Sequence, residues 1–248
     1  MRKYWLDAQF KTNEAVVIQG DPFHHIFDVC RQEEGSQFEV LFGDGEAHLV
    51  EVIEVKKKQA LAKILSSRKL PEIPRPYLKL FISVPRYPVM EALVEKCVEL
   101  GCAEIQPFIS DFSFVRKGDS IPPSKVDRWN KIVVSATQQC GRGELMPIQP
   151  VISLTEALEK LNQNPQAQGL FFYEGLGNKD LKTYLKHEDF SKSEELWVFV
   201  GSEGGFSSTE VEVFSKIGVT PLSLGDQVLR VETACISILA ILKYELVN

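Results

Sequence analysis

The sequence predicts a small β-domain followed by a layered α/β domain, and three observations lead there. Short alternating apolar runs separated by turn residues fill the first seventy or so positions. Leu70-Pro71-Glu72-Ile73-Pro74-Arg75-Pro76 then packs three prolines into seven residues, removing amide donors and marking a domain boundary. Beyond it, continuous apolar runs alternate with helical periodicity, as expected of buried parallel strands covered by helices. The expected domains are therefore residues 1–72 and 73–248.

In chain order, Asp21 and Pro22 supply an N-cap and first-turn proline for a short helix from Phe23 to Arg31. Phe38 to Phe42 reads as a strand, Gly43-Asp44-Gly45 as a turn, Ala47 to Val55 as a second strand, and Ala60 to Leu65 as a third. A small barrel with one helix fits this pattern. After the prolines, Leu78 to Val84 is a strand. Met90, Leu93, Val94, Cys97 and Val98 follow at helical spacing, and Gly101 ends that helix. Ala103 to Ile109 is the next strand; Val126, Trp129, Ile132, Val133 and Ala136 mark a helical face ending near Gly141; Ser153-x-x-Glu156 opens a shorter helix with a capping box. Leu170 to Tyr173 and Leu196 to Val200 are buried-strand candidates.

Composition narrows the function classes. With 44% hydrophobic and 25% charged residues, disorder and fibrous repeats are disfavoured. No apolar run reaches the roughly 20 residues that a membrane span needs, and Met1 to Phe10 lacks the apolar core of a secretion signal, so a cytoplasmic location is expected. Cys30, Cys97, Cys102, Cys140 and Cys235 are odd in number and never spaced as a C-x-x-C pair, which speaks against a disulfide framework or a zinc knuckle. The net charge of -6 divides unevenly: residues 1–74 carry -2, residues 75–150 carry +2 and residues 151–248 carry -6. A local basic surface in the middle third can thus attract phosphate on an acidic protein.

Three loops carry the candidate chemistry. Gly201-Ser202-Glu203-Gly204-Gly205-Phe206-Ser207 follows a strand directly, and Ser207-x-x-Glu210 starts a helix whose free amides point back at the loop. Strand, glycine loop and helix start form a general ligand site, yet neither the G-x-G-x-x-G nor the G-x-x-x-x-G-K-[ST] pattern is present. A tight turn without a ligand is the plain alternative. Ser223 to Thr233 is a second loop, with Arg230 and Glu232 at the entrance of an apolar helix; the charge pair suits catalysis or simple structure. Thr137-Gln138-Gln139-Cys140-Gly141-Arg142-Gly143 is the third, where Arg142 can grip an anion bidentately or merely be solvated. His24, His25 and Arg31 on the short helix, and Arg116-Lys117 after Phe112 and Phe114, combine bases and rings suited to unpaired RNA; the two phenylalanines suit a core equally well.

Taken together and in this order, these motifs resemble the RsmE family of ribosomal RNA methyltransferases in the SPOUT superfamily. The resemblance rests on His25 to Arg31 with Gly43-Asp44-Gly45, Glu99-Leu100-Gly101, Gln139-Cys140-Gly141-Arg142, Gly201 to Ser207, and Leu224-Gly225 with Leu229-Arg230-x-Glu232-Thr233-Ala234. It implies an N-terminal PUA-like β-barrel for RNA, and a mainly parallel, trefoil-knotted SPOUT sheet with helices on both faces. It further implies S-adenosyl-L-methionine as cofactor, a homodimer with the active site near the subunit interface, and methylation of N3 of a uridine in small-subunit ribosomal RNA. Carried over, the cofactor lies against Phe172, Tyr173, Gly201, Ser202, Glu203, Gly204, Gly205, Leu224, Gly225, Val228 and Leu229. Arg142, Glu203, Arg230 and Glu232 are the polar groups beside the reacting methyl, and no membrane or metal is implied.

The chain departs from the family pattern in places. Ser202 stands where proline is usual, which is expected to loosen the loop, and Gln227 stands where arginine is usual, which puts one RNA or interface contact in doubt. Pro85-Arg86-Tyr87-Pro88 replaces a lysine-glycine helix start, so a substrate-facing lysine is missing. Two other readings stay open on the residues alone: a non-catalytic RNA-binding dimer, and a nucleotide-dependent α/β enzyme using the glycine loop.

Overall fold

The computed structural model describes residues 1–12, 14–116, 120–175 and 177–246. Contacts divide the chain into two units, Met1–Glu72 with Val134–Leu145, and Ile73–Val133 with Met146–Asn248. The boundary after residue 72 coincides with the proline-rich stretch, while the assignment of Val134–Leu145 to the first unit was not foreseen. Within that unit the Trp5 amide donates to Gln138 Oε1 at 2.9 Å, a long-range bond with no local sequence signal.

The first unit is built on β1 (Lys3–Trp5), β2 (Ala15–Gln19), β3 (Gln37–Leu41), β4 (Glu46–Val55) and β5 (Gln59–Lys69). They pair in the order β1-β3-β4-β5-β2, with β1 parallel to β3 and the other pairs antiparallel. Side chains on a strand alternate between faces, so Val16 and Ile18, Phe38 and Val40, Val50 and Val52, and Ala60 and Ala62 all reach one core. Register shifts in the β4–β5 pair at Leu49/Val50 and Val52/Glu54 bend the long hairpin around that core. β1 and β2 add to the three strands expected. The short helix α1 (Asp21–Phe23) is capped by Gly20, not by Asp21, and runs on through His24–Val29 in a widened form in which the Cys30 amide donates to the His25 carbonyl at 2.9 Å.

One charged cluster stabilises this unit. Asp44 Oδ2 lies 2.7 Å from Lys11 Nζ and 2.9 Å from Nε2 of the buried His48, whose Nδ1 is 2.6 Å from Ser67 Oγ. Partial burial alone would raise the Asp44 pKa, but the hydrogen bonds from Lys11 and His48 outweigh it and hold the carboxyl at about 2, below its ordinary 3.8. A depressed carboxylate stabilises the fold fully above its unfolded pKa and loses that contribution as pH falls through its folded one. Wild type is therefore expected to lose stability between pH 3.8 and about 2. Asp44→Asn, compared in acid-unfolding titrations, should be less stable at neutral pH and should show a smaller drop across that window.

The second unit contains β6 (Tyr77–Ser83), α2 (Tyr87–Leu100), β7 (Glu104–Ile109), α3 (Pro123–Cys140, which ends in the first unit), β8 (Ile152–Ser153), α4 (Leu154–Gln163), β9 (Ala167–Phe172), β10 (Lys179–Asp180), α5 (Leu181–His187), β11 (Glu195–Val200), α6 (Ser208–Lys216), β12 (Pro221–Ser223) and α7 (Val231–Leu246). The sheet order is β10-β12-β9-β11-β6-β7-β8, and its strand pairs are parallel. On one face Phe81, Phe171, Trp197 and Phe199 pack with Leu154, Leu158 and Leu161 of α4 and Phe214 of α6. Leu80, Ile82, Val198 and Val200 alternate with them and are equally buried, on the face where α7 meets β6, β11 and α2. Helices thus cover both faces, as the SPOUT resemblance implies.

Local signals act as expected. Ser153–Glu156 and Ser207–Glu210 both form reciprocal capping boxes, and Gly101 ends α2 in the left-handed conformation at φ 80°. No described helix is long and apolar enough to cross a membrane.

Candidate active site

A parallel sheet leaves its ligand site at the carboxyl ends of its strands. In this sheet the loops after β9, β11 and β12 surround an open cavity of about 600 Å³. Phe172, Tyr173 and Glu174 enter from β9, Gly201, Ser202, Glu203 and Gly205 from β11, and Leu224 to Arg230 without Asp226 from the loop after β12. Val231, Glu232, Ala234 and Ile238 line it from α7, and Arg86 and Val89 from the start of α2. Apolar walls with a few converging polar groups describe a small-molecule site.

The glycines of the β11 loop are required by space. A Cβ on Gly201 would lie 2.8 Å from the Gly205 Cα and 2.9 Å from its carbonyl carbon and oxygen. Gly205 has φ +67°, and its own Cβ would meet Glu174 Oε1 at 2.7 Å. The Gly205 amide donates to the Ser202 carbonyl at 2.9 Å, closing a turn that brings backbone against backbone. Ser202 does not loosen this turn: it is buried, and its hydroxyl donates to the Phe112 carbonyl at 2.7 Å. Glu203 is exposed to the cavity, and its Oε1 accepts from the Arg86 amide at 3.1 Å.

Among the residues expected at the cofactor, Gly204 is the exception. It does not line the cavity; a Cβ there would come within 2.8 Å of Phe112 Cβ, so its place is against that ring. Of the polar groups, Glu203, Arg230 and Glu232 share the cavity. Arg142 does not line it: it belongs to the first unit, where its largely buried side chain lies 3.7 Å from Glu144 Oε1.

The RNA candidates are divided likewise. His24, His25 and Arg31 are exposed on the first unit, with His24 Nδ1 2.7 Å from Asp28 Oδ2 and Arg31 at φ 55°. Arg116 is exposed on the second unit, and Lys117 lies outside the described residues. Arg86, Val89 and Glu174 are cavity residues that sequence reasoning missed. Pro85-Arg86-Tyr87-Pro88 held a signal, because a proline in the first turn of α2 fixes the helix start and leaves Arg86 at its mouth. Asp44, Glu46 and His48 group ligand-type atoms within 4.8 Å, but Lys11 Nζ already supplies a cation there, 2.7 Å from Asp44 and 3.1 Å from His48.

Glycine loops closing a cavity at the edge of a parallel sheet define an α/β ligand-binding enzyme domain, here carried on the same chain as a small β-domain. Residues 71–243 match the RNA methyltransferase domain, and residues 18–65 match the RNA methyltransferase PUA domain. The chain belongs to this RNA methyltransferase family. It is 29% identical over 225 residues to the ribosomal RNA small subunit methyltransferase E of Helicobacter pylori, spanning 90% of this chain and 92% of that protein. Identity to the Bacillus subtilis protein of that name is 26% over 255 residues, spanning 99% and 97%. The crystal structure of a ribosomal RNA small subunit methyltransferase E from Neisseria gonorrhoeae bound to S-adenosyl methionine aligns with a TM-score of 0.83 at 26% identity, over 98% of this chain and 97% of that one.

Proposed function

We propose that this chain methylates N3 of a specific uridine in small-subunit ribosomal RNA, using S-adenosylmethionine and working as a homodimer. The observation that carries this reading is the glycine-cradled cavity in a chain of the RNA methyltransferase family. The residues present suit that cofactor. Gly201 and Gly205 permit the close backbone turn that borders the cavity, Phe172, Leu222, Leu224 and Leu229 offer apolar walls, and Glu174, Glu203 and Glu232 offer negative charge to a sulfonium. When bound, the cofactor supplies an electrophilic methyl group. The relatives named for small-subunit ribosomal RNA methylation, and the Neisseria structure with its bound ligand, support the substrate and cofactor.

The chain's own groups handle the proton and the charge. Uridine N3 carries a proton that must leave as the methyl arrives, and Glu203 or Glu232, both lining the cavity, would accept it. Arg230 and Arg86, which also line the cavity, stabilise negative charge on the uracil oxygens. Glu203→Ala and Glu232→Ala, measured as single-turnover methyl transfer to undermethylated small subunits, should identify the base by a loss of roughly 10² or more. Unchanged rates in both would remove that role. Calorimetric titration with S-adenosylhomocysteine and, separately, NAD tests the cofactor: saturable binding of the first alone is expected, and binding of NAD alone would favour a nucleotide-dependent enzyme.

A further inference from the structure

The segment between β7 and α3 leaves two phenyl rings in water while its backbone is held firmly. Ser113 and Val115 turn inward, at 2% and 5% exposure, and Phe112 and Phe114 between and before them keep 49% each. Arg116 continues the outward series and is exposed. The backbone is fixed from several elements. Ser202 Oγ donates to the Phe112 carbonyl at 2.7 Å, the Phe114 amide to the Val84 carbonyl at 2.8 Å, and the Asp111 amide to Oε1 of the buried Glu210 at 2.8 Å. Ser207 Oγ donates to Asp111 Oδ2 at 2.5 Å, and the Ser83 and Ser110 hydroxyls are 2.6 Å apart. A loop tied this closely does not fold its rings into the core.

One of those ties leads directly to the cavity. Ser202 is a cavity residue, and Gly204 of the same turn is packed against Phe112. On the other side, Phe114 meets Tyr87 edge to face at 5.2 Å, and Lys125 Nζ lies 5.1 Å over the Tyr87 ring. Arg116 Nη1 donates to the Asp111 carbonyl at 3.3 Å, and Glu91 lies 3.9 Å from Lys125. The surface therefore combines exposed rings with two cations, next to the turn that shapes the ligand site.

We propose that Phe112 and Phe114 are a stacking platform for unpaired RNA bases beside the target nucleotide, with Arg116 and Lys125 facing the adjoining phosphates. This rests on the RNA methyltransferase reading and adds the residues that position the substrate. Base faces stack on aromatic rings, and the flanking cations match a polyanion; a second protein copy would bury the rings without needing those charges. A nucleotide presented out of its stack for chemistry needs its neighbours held, and rings fixed to the cavity turn do that.

The full-length protein with Phe112→Leu/Phe114→Leu tests the platform against Phe112→Tyr/Phe114→Tyr, which keeps aromatic faces. The probes are a labelled single-stranded RNA oligonucleotide and undermethylated small subunits. The leucine pair should weaken oligonucleotide binding and raise the KM for subunits at least ~10-fold, the tyrosine pair should restore both, and S-adenosylhomocysteine affinity should stay unchanged. Wild-type RNA affinity and KM in the leucine pair would overturn the platform while leaving the methyltransferase reading intact. Ring-dependent RNA binding by a wild-type protein that transfers no methyl would do the reverse. A changed sedimentation mass in the leucine pair would instead assign the rings to an interface between copies and overturn the proposal.

Discussion

Gly201→Ala is expected to abolish S-adenosylhomocysteine binding in calorimetry. The added methyl would sit 2.8–2.9 Å from the Gly205 Cα, carbonyl carbon and oxygen, and those backbone atoms cannot swing aside as a side-chain terminus can. Relief requires opening the Ser202–Gly205 turn, which breaks the 2.9 Å bond from the Gly205 amide and shifts Ser202 from Phe112. Overpacking of this kind costs about 1–3 kcal/mol in a tolerant core, and backbone against backbone lies at the upper end. Gly225→Ala is the comparison. Gly225 has φ +122° but nothing within 4 Å of a Cβ, so it tests strain without collision and should retain measurable binding. Equal binding in Gly201→Ala and wild type would show that the turn does not shape the ligand site.

Phe199→Ala carries the largest expected loss of stability. Its ring is fully buried in β11, with β9 on one side and β6 on the other, and lies 4.7 Å from Phe81, 6.2 Å from Phe108 and 5.3 Å from Phe214. Removing a buried phenyl ring costs about 3–5 kcal/mol, through lost transfer energy and the cavity left behind. For a domain of this size that lowers Tm by roughly 6–20 °C, readable in a thermal scan. The same strand ends at Val200 and delivers Gly201, so ligand affinity should fall with stability. A Tm within a degree or two of wild type would mean that this aromatic layer is not the centre of the core.

Much of this was legible because it is local. The capping boxes at Ser153 and Ser207 and the glycine stop at Gly101 each depend on a few consecutive residues, and each formed where the sequence placed it. The apolar runs of β6 and β11 announced parallel strands because both faces of the sheet are covered. Pairing over distance was not legible. β1 is three residues long and gains its partner β3 more than thirty positions away; β12 is inserted between β10 and β9 by tertiary packing alone.

The candidate site divides along the same line. Glu203, Arg230 and Glu232 lie in or beside glycine loops that mark themselves, and the sheet gathers them at one edge. Arg142 stood between two glycines and invited the same reading, yet it is largely buried with the first unit, because accessibility of an arginine depends on what packs over it. Ser202 looked like a loosened proline position. Its hydroxyl finds an acceptor ninety residues earlier, a partner no window of sequence contains. Phe112 and Phe114 were undecided between core and surface; the hydrogen-bonded loop holds both outward.

The most direct test of the central claim is nucleoside mass spectrometry of small-subunit ribosomal RNA, isolated from subunits lacking the modification and incubated with this protein and S-adenosylmethionine. Appearance of N3-methyluridine at one position, lost in Gly201→Ala, is the predicted result. No new methylated nucleoside, or a methyl group on a ribose or on a base other than uracil, would contradict it.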